Sequence, residues 1–124
     1  MQLEARYFRA AAIYAVLGLL LGIHMSSSQD HSQMPTHAHL LLLGWVSLFL
    51  SGAFFKFYPQ VQGKLAAAHW WIANLGIVLM VPGVGLIMAH NEGLGVPLAS
   101  GGAFVVLIGM VIFAWLVFRG TKKA

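Results

Sequence analysis

The chain contains no cysteine, which excludes disulfides and covalent haem attachment through a C-x-x-C-H motif. Acid is nearly as rare, with three carboxylates among 124 residues. There are no paired carboxylates, no nucleophile–base arrangement and no phosphate-binding loop, so hydrolytic and phosphoryl-transfer chemistry have no support. Charge of either sign is scarce, at 8% of residues against 60% hydrophobic. A soluble domain carries roughly a quarter charged residues. No Asp, Glu, Lys or Arg occurs in 10–29, 31–55, 65–91 or 93–118. Each interval is long enough for a bilayer span of about 20 residues. The expected fold is all-α: an integral membrane bundle of four helices in one domain, 1–124, with helices near 7–25, 36–58, 65–89 and 98–118. The first segment lacks the ordered parts of a signal peptide and is read as a true helix.

The seven basic residues set the orientation. Arg6 and Arg9 precede helix 1. Lys56 and Lys64 flank the middle loop. Arg119, Lys122 and Lys123 follow helix 4. The other two loops carry Asp30 and Glu92 instead. The positive-inside rule puts both termini and the middle loop in the cytoplasm, as in a multi-pass protein of a bacterial-type inner membrane. The net charge of +4 then reports topology and contact with the anionic lipid bilayer. No basic, aromatic-interleaved surface suits a nucleic acid.

Histidine is what this chain has in excess. In the expected topology His24, His31, His37, His39 and His90 fall on the outer side, and His69 near the inner side. Histidine at membrane depth is costly and usually marks function, and imidazole is a common axial ligand of haem iron. A rise of about 1.5 Å per residue puts His24 roughly 22 Å beyond Arg9 and His39 roughly 25 Å before Lys56. The two match in depth, as opposed axial ligands of one macrocycle must. His39 lies one turn inside an apolar run, where an unpaired imidazole would lose its hydrogen bonds. His37 borders the helix start after Pro35 and Thr36. His31 and His90 suit interfacial positions, with His90 the weaker haem candidate.

Small residues offer close packing or room. Gly18 and Gly22 form a GxxxG spacing below His24. Gly44 and Ser51 follow His37 at offsets of seven and fourteen. Pro82 should kink helix 3, Asn74 should find an interhelical partner, and Gly101–Gly102 allow helix 4 a close approach as scaffold. Trp70 and Trp71 fit an inner aromatic belt.

The run HAHLLLLGWVSLFLSGAFFKFYP, followed by HWWIANLGIVLMVPGVGLIMA, resembles two consecutive late helices of the haem–copper oxidase catalytic subunit, in particular of C-family oxidases and nitric oxide reductases. The matching elements are His37, His39, Gly44, Trp45, Gly52 and Pro59, then His69, Trp70, Trp71, Asn74 and Gly76. They span about half the chain. The resemblance implies that His37 belongs to a high-spin or open haem site and His39 to a low-spin haem, with His69 hydrogen-bonding and not an iron ligand. Four helices, against about a dozen in that subunit, leave no copper site. None of Tyr7, Tyr14 and Tyr58 sits where a haem–copper centre needs a tyrosine. Oxygen reduction to water by this chain alone is not expected.

The sequence therefore points to a non-covalent haem b protein acting in electron transfer or haem-based sensing near the outer face, with a redox protein or quinone as partner. His39 and His24 are the expected axial ligands, then His37 and His90. In a second arrangement two chains each donate His39 to a shared haem, which makes a homo-oligomer, and a dimer first, the expected assembly. An alternative is an outer-face copper site built from Met25, His31, Met34, His37 and His39, with Met88 and His90 adding to it, since thioether and imidazole ligands suit copper. A further alternative is a cofactor-free oxidase accessory or assembly subunit.

Overall fold

A computed structural model describes residues 2–122, and Lys123 of the expected basic cluster lies outside them. Among the described residues the chain is helical, with no strand. Four helices are long and apolar enough to cross a membrane: α1 (Leu3–Ser28), α2 (Met34–Phe57), α3 (Lys64–Met88) and α4 (Glu92–Thr121). They run up and down, so Leu3, Thr121 and the 58–63 turn share one end. Gln62 Nε2 donates to Glu4 Oε2 (3.0 Å) and Gln60 Nε2 to the Gly120 carbonyl (3.2 Å), tying that turn to both outer helices. At the opposite, histidine-rich end, Gln33 Nε2 donates to the Gly85 carbonyl (3.1 Å) and links α2 to α3.

The four helices form two close pairs. In the α3–α4 pair, small residues recur at seven-residue intervals: Gly76 and Gly83 on one helix, Gly95, Gly102 and Gly109 on the other, all packed inward. A Cβ on Gly102 would lie 2.5 Å from the Met80 amide nitrogen, so backbone rests on backbone along this seam. Dispersion and close packing, the forces that associate helices in lipid, act best at such contacts. Gly101, next to Gly102, faces open space. In the α1–α2 pair, Tyr7, Ala11, Gly18 and Met25 lie buried along one stripe of α1. Large apolar side chains are plentiful on the outside of all four helices.

Three helices differ from the sequence expectation. α1 runs Leu3–Ser28 where 7–25 is expected. α4 starts at Glu92 and not near Leu98, running through Pro97. The proline is exposed, and the carbonyl left without its donor belongs to exposed Gly93 near the helix start, so the break is cheap there. Within α2, residues Leu40–Ser47 are π-helical. This wider turn shifts the later residues by one position. Gly44 still meets Tyr14 of α1, but Gly52, eight residues on, meets Tyr7 and Phe8. Ser51, expected in line with His37, instead faces the α3–α4 side beside His69 and Val106.

α3 ends in a Schellman-type cap. His90 sits in the left-handed region at φ 66°, its N–H donates to the Ile87 carbonyl (3.0 Å), and Asn91 N–H donates to the Leu86 carbonyl (2.8 Å).

Candidate haem-ligand site and the buried histidine

The histidine-rich end is built on the first turn of α2. Pro35 pre-sets the helical φ and has no N–H to leave unpaired. Thr36 is buried, and its hydroxyl donates to Gln33 Oε1 (2.5 Å), the same amide that reaches the Gly85 carbonyl. The turn is therefore pinned to α3, and His37 and His39 stand on a fixed platform.

The two imidazoles point opposite ways, as a step of about 200° between them requires. His37 faces α1, where its Nδ1 is 2.9 Å from the Gly18 carbonyl and its Cε1 would lie 3.0 Å from a Cβ at Gly22. Of the GxxxG pair, Gly22 thus makes room for this ring, while Gly18 offers it a carbonyl and makes room for Leu41. His39 faces away from α1, with Nδ1 2.7 Å from the Pro35 carbonyl. A carbonyl only accepts, so Nδ1 carries a proton in both rings, and in the neutral imidazole Nε2 keeps the free lone pair. That tautomer is the one a metal-ligating histidine needs, with the second nitrogen oriented by a backbone acceptor. Leu42 and Val46, three and seven residues further along the chain, are exposed.

The other expected ligands are spread out. His24 is exposed and lies off the buried stripe of α1. His31 is exposed in the 29–33 turn, and His90 is exposed in the α3 cap. Of the thioethers expected in a copper cluster, Met25 is buried in the helix stripe (3% exposed) while Met34 stands at 48% exposure. Among the described residues no three His, Asp or Glu side chains group to hold a metal ion.

His69 is the one deeply buried histidine. Its Nδ1 is 2.6 Å from the Tyr7 hydroxyl, which donates to the Ala66 carbonyl (3.1 Å). The ring stacks on Phe113 and lies beside Phe55, so all four helices meet around it. It also borders a cavity of about 40 Å³ with Ser47 and Ser51. A cavity needs roughly 10–15 Å³ to hold a water, so this one has space for a polar guest that the ring and hydroxyls can bind. Sequence reasoning made His69 a hydrogen-bonding residue but did not find Tyr7 as its partner, because 62 residues separate the two. Asn74 meets its expected interhelical partner: Tyr14 O–H donates to its Oδ1 (2.8 Å).

Comparison with protein families, characterised proteins and solved structures finds no match to this chain.

Proposed function

We propose that the chain is a multi-pass membrane protein, N-in and C-in, that binds haem b between two copies, one His39 from each supplying an axial imidazole. The observation that carries this reading is the 2.7 Å contact of His39 Nδ1 with the Pro35 carbonyl, which leaves Nε2 bare on an outward, apolar face of α2. His24 stands on a different helix face from the one that packs against α2, so a second chain is the natural source of the opposite ligand. Exposed Leu42 and Val46 extend that face and suit contact with a macrocycle or a second copy.

Several features support the rest of the reading. Six of the basic residues, Arg6, Arg9, Lys56, Lys64, Arg119 and Lys122, lie toward the end that holds the termini and the middle loop, as the positive-inside rule requires. The likeness of HAHLLLLGW to the H-x-H helix of haem–copper oxidases agrees with His39 as a low-spin ligand. π-Helical turns occur frequently at functional sites, and one begins directly after His39.

Bound haem would supply one-electron chemistry or an iron for a small ligand. The chain's own part is narrower. Pro35 fixes the tautomer and raises the basicity of the His39 ring. The Thr36–Gln33–Gly85 link holds the turn that carries it. The apolar face excludes water. The role that follows is electron transfer or ligand sensing near the outer face.

The test is haem retention by variants purified in detergent. His39→Ala loses the haem and the dimer it bridges, whereas His24→Ala and His90→Ala keep both. Haem retained at the wild-type level by His39→Ala overturns the assignment.

A further inference from the structure

At the opposite end of the molecule from His39, α1 and α3 diverge around a groove of about 640 Å³. Its rim holds two guanidiniums, Arg6 and Arg9, one turn apart on α1. Its walls are apolar and aromatic: Ile13 from α1, Trp70 and Trp71 from α3. Its far end is closed by the Tyr14–Asn74 hydrogen bond, roughly 12 Å along the helix from Arg6 by the rise of α1. Neither arginine makes an ion pair among the described residues. Arg6 lies 4.5 Å from the centre of the Trp70 ring and 5.8 Å from that of Trp71, so aromatic faces hold its guanidinium in place.

Two cations without counter-ions at the mouth of an apolar slot match one kind of molecule: an anion that carries a hydrocarbon chain. We propose that this groove is a binding site for an anionic phospholipid, with the phosphodiester between Arg6 and Arg9 and an acyl chain along Ile13 and Trp71 toward Tyr14. Guanidinium binds phosphate through a planar fork, which gives orientation as well as charge. Basic pockets between helices on the cytoplasmic side of a membrane are known to take such headgroups. Glu4, whose carboxylate accepts a hydrogen bond from Gln62, makes no ion pair with either arginine. The site rests on the reading of the chain as a membrane protein but is independent of haem, since His39 and the groove lie at opposite ends of the helices.

The experiment is native mass spectrometry of the detergent-purified protein titrated with phosphatidylglycerol, phosphatidylcholine or glycerol 3-phosphate, with haem content read on the same samples. The wild-type chain retains phosphatidylglycerol in preference to phosphatidylcholine by roughly 25-fold, about fivefold for each guanidinium. Arg9→Gln, which leaves the Arg6–tryptophan contact intact, lowers that preference about fivefold, and Arg6→Gln with Arg9→Gln abolishes it. Arg6→Lys keeps the charge but loses the fork, and retains part of the preference. Equal retention of the two lipids, or an unchanged preference in Arg9→Gln, overturns the proposal. So does glycerol 3-phosphate binding as well as the lipid, because the apolar slot would then contribute nothing. Haem lost with lipid binding intact points to failure of the His39 reading instead.

Discussion

The phenol oxygen of Tyr7 and Nδ1 of His69 lie 2.6 Å apart and join α1 to α3 inside the bundle. Tyr7 is fully buried and His69 nearly so, with Phe55 of α2 and Phe113 of α4 against them. This polar pair is the place where all four helices are in register with one another.

Tyr7→Phe keeps the ring and removes the bond. The expected loss of stability is about 1 kcal/mol. His69→Ala removes the bond and also leaves a void between Phe55 and Phe113, for an expected loss of about 2–4 kcal/mol. Unfolding in mixed detergent with rising SDS measures both. Haem bound per folded chain stays at the wild-type level in each variant. Release of haem by His69→Ala from folded protein would show that His69 is an iron ligand.

Adjacent glycines on α4 give a sharper contrast. Gly101→Ala adds a methyl where no heavy atom lies within 4 Å, and a helical alanine is favoured over glycine by about 1 kcal/mol. The variant is expected to be neutral or more stable. Gly102→Ala puts a Cβ 2.5 Å from the Met80 amide, and backbone cannot step aside as a side chain can. It is expected to force α3 and α4 apart and cost about 1–3 kcal/mol. Thermal unfolding of the two variants side by side checks this, and equal behaviour would refute the packing of α4 on α3.

How far the sequence reaches can be followed residue by residue. Charge-free intervals locate all four helices, because each charge is expensive in an apolar layer. The end of α2 at Phe57 is within one residue of expectation. Pro97 misplaces the start of α4, since a proline reads as a boundary unless the carbonyl it orphans can reach solvent. The π-helical turn after His39 is invisible to a pattern read at a uniform 3.6 residues per turn, and it is why Gly52 and not Ser51 faces α1. His24 has the right depth for His39, but depth along an axis says nothing of the face a side chain occupies. The Arg6–Trp70 contact has a sequence trace in the basic start of α1 and the Trp70–Trp71 pair, but each reads alone as a generic interfacial signal.

In the turn between α1 and α2, the Ser32 amide donates to the Asp30 carboxylate (3.0 Å) and holds its pKa below the ordinary value, with the nearby imidazoles of His24 and His31 adding smaller contributions. A depressed folded-state pKa means that the bond's contribution is present above the unfolded carboxylate value, about 4, and is lost as pH falls through the lower folded value. The Ser32 amide resonance should therefore titrate with a midpoint below the ordinary carboxylate value, and stop doing so in Asp30→Asn. A midpoint at or above the ordinary carboxylate value would show that the amide bond does not form.

The central claim is a haem b held between two chains by His39, and an optical spectrum of the detergent-purified protein with a pyridine haemochrome assay and a mass determination tests it most directly. The predicted result is sharp α and β bands on reduction, a b-type haemochrome, and one haem for each pair of chains. Folded protein with no Soret band, or monomers that each carry a full haem, would contradict it.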